Sequence, residues 1–91
     1  MNKKLRVAIV GTGFGAYGIY PAFAKSKECE IVAICSTNKL KIKSIAKKLK
    51  IPNYYDSYQL MFKKEKIDIL AIATNPMTQE KIIKLAIGKV N

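Results

Sequence analysis

The sequence predicts an α/β protein, one small domain built on a parallel sheet with helices on both faces. Three observations carry this. The aliphatic runs "LRVAIV", "IVAIC" and "ILAIA" are apolar almost throughout, as strands covered on both faces are. Between them lie stretches whose apolar residues recur at helical spacing. The two kinds of segment alternate from end to end, without repeats, linkers or low-complexity sequence. At 91 residues such a domain buries roughly 60–65% of the surface its unfolded chain exposes, so its stability is modest.

The first strand is expected at residues 5–10. Four of the five glycines follow within eight positions, Gly11, Gly13, Gly15 and Gly18. A helix over about 14–25 comes next, weakened by Gly18 and by Pro21, which removes a backbone hydrogen bond and should kink or divide it. A β-branched strand is expected at 31–35. Thr37 or Asn38 can then cap a lysine-rich helix over 39–50, whose Ile42, Ile45, Ala46 and Leu49 at i, i+3, i+4 and i+7 mark a buried stripe; Pro52 follows its end. Residues 53–55, "NYY", read as a short aromatic strand, and Asp56 with Gln59 as a capping box for a helix to about Lys64. A third long apolar strand lies at 69–73. Asn75 and Pro76 fit the N-cap and first position of a last helix, with Ile82, Ile83, Ala86, Ile87 and Val90 on its buried face.

Composition narrows the function classes. A hydrophobic fraction of 49% and a charged fraction of 25% are those of an ordinary globular protein, and the longest wholly apolar run, 69–73, is far too short to cross a bilayer. The opening is basic and then apolar, but the apolar stretch is brief, contains Arg6 and runs into glycines, which is not a signal peptide. A cytoplasmic location with no membrane partner is expected. Cys29 and Cys35 have no C-x-x-C spacing, and the chain has no histidine, so no metal site is expected and both thiols read as reduced packing residues. The net charge of +11 favours anionic partners. The lysines nevertheless fall on the outward face of a helix, and the single arginine, Arg6, lies inside a strand, so no specific nucleic-acid recognition is expected. Tyr17, Tyr20, Tyr54, Tyr55 and Tyr58 read as packing residues.

The glycine cluster carries the chemistry. Gly11, Gly13 and Ala16 fit G-x-G-x-x-G/A directly after a strand and at the mouth of a helix, the dinucleotide-binding fingerprint of a Rossmann-type fold. Gly11 permits the tight turn, Gly13 lets a pyrophosphate approach the backbone, and Ala16 lets helix and strand pack closely, while the helix N-terminus offers unpaired N–H groups. About 20 positions further on, an acid would hold the ribose hydroxyls of NAD. Here that position is Ser36, and Ser36, Thr37, Asn38 and Lys39 offer hydroxyls, an amide and a cation, a set that tolerates a 2′-phosphate. NADP(H) is therefore expected over NAD(H).

From Val7 to about Lys89 the chain resembles the N-terminal part of the glucose–fructose oxidoreductase, inositol dehydrogenase and MocA-like family of NAD(P)-dependent oxidoreductases. The likeness rests on "VAIVGTGFGA" with "PAF" after it, "EIVAICSTN", "YYDSYQLM", and "IDILAIATNP" with the helix ending "LAIGKV". It implies about four strands in the order 3-2-1-4, incomplete relative to the family. It also implies that Gly11, Thr12, Gly13, Phe14, Gly15 and Ala16 face the pyrophosphate and Ser36 to Lys39 the adenosine ribose. Ala73, Thr74, Asn75 and Pro76 would lie where cofactor ribose and nicotinamide pass.

Departures are equally specific. Family members commonly have histidines where this chain has Gln79 and Ile19, and they continue into a strand and a Glu-Lys-Pro motif whose lysine serves hydride transfer. This sequence stops at Asn91, so residues 1–91 are expected to be a partial cofactor-binding domain without the C-terminal substrate domain. No catalytic residue is assigned and no turnover is expected of the 91 residues alone. In the complete enzyme the resemblance implies hydride transfer to or from a sugar, nucleotide sugar or cyclitol. The other reading is a non-catalytic interaction module, self-associating or pairing with another chain through the open edge at 69–73.

Overall fold

A computed structural model describes residues 4–11, 14–74 and 76–90; of Phe14, Gly15 and Ala16 it describes the backbone. The chain builds β1 (Leu5–Val10), α1 (Phe14–Ala24), β2 (Cys29–Cys35), α2 (Lys39–Leu49), β3 (Asn53–Tyr55), α3 (Tyr58–Lys64), β4 (Ile69–Ile72) and α4 (Pro76–Ala86). The four strands pair in parallel in the order β3-β2-β1-β4. The chain steps outward from β1 to β3, then crosses to the far side of β1 for β4.

Each face of the sheet carries its own core. On one, Ile9 and Ile34 pack with Ile42, Ile45, Ala46 and Ile51, and with the partly buried Ile19, Tyr20 and Leu49, so α1 and α2 cover that side. On the other, Ala8, Val10, Ala33 and Cys35 pack with Met61, Phe62, Ile67 and Ile82 beneath α3 and α4. Burying each such isoleucine fully contributes about 1.5–3 kcal/mol. The β1–β2 pairing carries a bulge: Val7 faces Ile31 but Ala8 faces Ala33, which leaves Val32 as an extra residue.

Pro21 neither ends nor divides α1, which runs on to Ala24 and passes Lys25 N–H to the Pro21 carbonyl at 3.2 Å. The carbonyl left unmatched by the proline is that of Tyr17, a residue on the exposed side of the helix, where water can take its place. Asn38 caps α2, its Oδ1 accepting Lys41 N–H at 3.1 Å. The helix closes at Lys50, whose φ of 58° is left-handed and whose N–H returns to the carbonyls of Ala46 and Lys47.

Two expectations are corrected. The cap of α3 is Ser57, whose Oγ accepts Leu60 N–H at 3.2 Å, and not Asp56, which turns to Lys39 instead. In α4 only Ile82 is buried, while Ile83 is 53% exposed and Ile87, just past the helix end, 75% exposed. The reason is the sheet: β4 is its edge, every residue of it only half-buried, and among the described residues the one pairing outside the named strands is a parallel bridge between Ile67 and Val90.

A polar cluster ties the strands together under α3. The nearly buried Glu65 carboxylate accepts from Arg6 Nη2 at 3.0 Å and from the Tyr55 hydroxyl, while Arg6 Nε donates to the Lys66 carbonyl at 2.7 Å. The backbone N–H of Arg6 donates to Asp68 Oδ2 at 2.8 Å.

Candidate functional site at the strand ends

In an open parallel sheet the binding crevice forms at the carboxyl ends of the strands where the strand order reverses. Here that point is Gly11, just beyond β1 and between β2 and β4. Gly11 N–H donates to the Cys35 carbonyl at 2.8 Å, and the carbonyl of Val10 accepts Ala73 N–H at 2.8 Å, so the end of β1 is bonded to both neighbours. Gly11 has a φ of +115°, and a Cβ built on it would overlap the Ala73 carbonyl. Only glycine satisfies both demands. α1 begins at Phe14, three residues beyond Gly11, and the N–H groups of a helix's first turn have no partner within the helix.

The residues read as the ribose-facing set gather at the end of β2. Ser36 is buried; its N–H donates to the Tyr55 carbonyl at 3.1 Å and its Oγ accepts Asn38 N–H at 3.2 Å. Asn38 is occupied as the cap of α2. The hydroxyl of Thr37 reaches the Tyr58 phenol, and Lys39 Nζ stands 3.6 Å from Asp56 Oδ2. Ala73 and Thr74 continue from β4, with Gln79 Nε2 donating back to the Thr74 carbonyl at 3.3 Å, and Pro76 opens α4. Thr12, Gly13 and Asn75 lie outside the described residues. Gly11, Ala73 and Ser36 are thus adjoining, brought together by the two strands that flank β1.

The structure adds two residues that sequence reasoning left out of the site, Asp56 and Tyr58. Both follow β3, and the Ser36–Tyr55 hydrogen bond sets Asp56 beside the end of β2. The only signal for Asp56 was its position after "NYY", and it reads equally as a cap. The electrostatics register its presence: burial, and then the Asp56 charge, push the Cys35 thiol up to about 12. Burial likewise raises the Tyr58 phenol, against the opposing hydrogen bond from Thr37.

A hollow of about 220 Å³ opens beside Asp56, lined by Lys39, Ile42 and Lys43 of α2, by Tyr54 and Tyr55 of β3, by Asp56 and by Leu60 of α3. Among the described residues no group of three histidine, cysteine or acidic side chains could hold a metal, and no helix is long and apolar enough to cross a membrane.

Residues 5–89 match the family model described as the oxidoreductase family with the NAD-binding Rossmann fold. Among solved structures, an oxidoreductase from Agrobacterium radiobacter in complex with NAD+, L-tartaric acid and magnesium superposes with a TM-score of 0.87 at 24% identity, over 96% of this chain and 25% of its own. Myo-inositol 2-dehydrogenase from Lactobacillus plantarum gives 0.84 at 23%, over 97% of this chain and 27% of its own. Scyllo-inositol dehydrogenase from Lactobacillus casei, with NAD(H) and scyllo-inositol bound, gives 0.84 at 20%, over 97% and 27%. No curated protein matches at the level of sequence. At these identities the structural likeness establishes the fold, and the chain spans about a quarter of the length of the structures it matches. The family match across nearly all of the sequence, on a sheet of order 3-2-1-4 with a glycine at its switch point, places the chain in the Gfo/Idh/MocA oxidoreductase family, as its NAD-binding Rossmann fold.

Proposed function

We propose that the chain is the nicotinamide dinucleotide-binding module of an oxidoreductase that moves a hydride to or from a sugar, nucleotide sugar or cyclitol, and that it prefers NADP(H) to NAD(H). The observation that carries the binding reading is Gly11, whose positive φ lies at the switch point, three residues before α1 begins at Phe14. Gly11 to Ala16 would take the pyrophosphate, Ser36 to Lys39 the adenosine ribose, and Ala73 to Pro76 the nicotinamide half. The preference for NADP(H) is supported by the uncharged Ser36 at the end of β2, where the fold usually carries an acid, and by the cation of Lys39 three residues on. Calorimetric titration with NADPH and then NADH, at near-physiological salt to screen the lysines, tests both parts. Saturable one-site binding with NADPH tighter is expected. A folded chain that binds neither refutes the module, and tighter NADH refutes the preference.

A second reading has its own observation. The half-exposed aliphatic edge of β4, with Met77 and Ile83 exposed on α4 and Ile87 exposed just after it, offers a surface for self-association or a partner chain. Sedimentation that shifts with concentration supports it, and a monomer throughout opposes it.

A further inference from the structure

We infer that Asp56, delivered from β3, sets the cofactor selectivity of the adenosine subsite together with Lys39 and Lys43. The inference rests on the dinucleotide reading above and specifies how its ribose end discriminates. A Rossmann fold usually supplies the discriminating acid from the end of β2, where this chain has Ser36. The structure brings a carboxylate to the start of α2, three residues beyond Ser36, by another route. Ser36 N–H is bonded to the Tyr55 carbonyl, the next residue is Asp56, and its Oδ2 lies 3.6 Å from Lys39 Nζ.

Lys39 and Lys43 are one turn apart on α2 and both line the 220 Å³ hollow that Asp56 closes on the other side. Lys39 and Asp56 are 80% and 43% exposed, so the pair opens at little cost. A ribose with free hydroxyls can donate to Asp56 and leave the ion pair in place. A 2′-phosphate is repelled by Asp56 and attracted by the two lysines, so it must draw Lys39 away from its partner. Asp56 therefore holds down the advantage that the lysines give NADPH, and the subsite accepts both cofactors with a narrow margin.

The test compares NADPH with NADH, and 2′,5′-ADP with 5′-AMP, on the whole chain and on Asp56→Asn, Asp56→Glu and Lys43→Gln, each checked for folding by circular dichroism. Removing the charge of Asp56 is expected to raise the NADPH-to-NADH affinity ratio about three- to tenfold, as one charge near a phosphate should. Asp56→Glu should keep the original ratio. Lys43→Gln should lower it by a similar factor through NADPH alone. Unchanged ratios in Asp56→Asn and Lys43→Gln, with both cofactors still bound, overturn the inference and leave the dinucleotide reading standing. A folded unsubstituted chain that binds none of the four ligands overturns both.

Discussion

Gly11 and Ala73 meet backbone to backbone across the ends of β1 and β4: a Cβ on Gly11 would stand 3.1 Å from the Ala73 carbonyl carbon and closer still to its oxygen. Both neighbours of the contact are held, Gly11 by Cys35 and Ala73 by Val10, so neither strand end can yield freely. Gly11→Ala is expected to cost at least about 1–3 kcal/mol from the left-handed φ alone, with the clash in addition. Urea unfolding measures it, and dinucleotide affinity should fall in parallel. An alanine variant of unchanged stability would refute the geometry. Gly18→Ala is the control, because nothing lies within 4 Å of its Cβ position and it sits inside a helix.

Glu65 joins β1 to the end of β3 from a site where its side chain is only 6% exposed. Glu65→Ala leaves the Arg6 guanidinium and the Tyr55 hydroxyl without their shared acceptor, and should cost about 3 kcal/mol. Glu80→Ala removes an exposed i, i+4 partner of Lys84 and should cost about 0.3–0.5 kcal/mol at most. Chemical denaturation of both variants separates the two environments.

Alkaline pH should unfold the chain. Burial, reinforced by Asp56, raises Cys35 from 9.0 to about 12. Burial and the Glu65 hydrogen bond raise Tyr55 from 10.0 to about 12. In each case the folded state holds the proton more tightly than the unfolded one, so the stabilisation is complete below the unfolded values and is lost as pH climbs from about 9 to about 12. Urea midpoints at pH 8, 10 and 11 should fall in that order, and a midpoint that rises would contradict the assignment. At pH 8 Cys35 should resist alkylation while the half-buried Cys29 reacts.

The last helix is anchored through Ile82, its one buried residue. Ile82→Ala should cost about 2–5 kcal/mol, more than any other truncation in α4. Ile87→Lys, at a residue 75% exposed, should leave stability nearly unchanged and lower any self-association. A strong loss of stability in Ile87→Lys would show that this face is covered.

The elements were legible because their signals are local. "LRVAIV" and "IVAIC" are aliphatic enough to mark strands covered on both faces, and the α2 stripe of Ile42, Ile45 and Ala46 is buried as its spacing requires. Gly11 was legible for the same reason, since a left-handed turn after a strand names its own residue. Asp56 was not. Its role depends on β3 lying beside β2, a pairing between distant segments, and the local rule that assigns an aspartate to a helix start pointed elsewhere. Ile83 and Ile87 misled in the other direction, because helical periodicity marks an apolar stripe without saying how much sheet lies under it.

The extra residue in β2 bears on how the site is found in any relative. Val32 changes the phase of the strand, so that Ile31 and Ile34, three apart, share a face that strict alternation would deny them. The same residue lengthens the ruler from the glycine loop to the ribose end, and a relative with an unbulged second strand would carry its equivalent of Ser36 one place earlier. A fixed count from the glycines therefore lands one side chain away in such a relative. The Gly11–Cys35 hydrogen bond does not depend on that count, and it is the landmark from which the end of the second strand should be located.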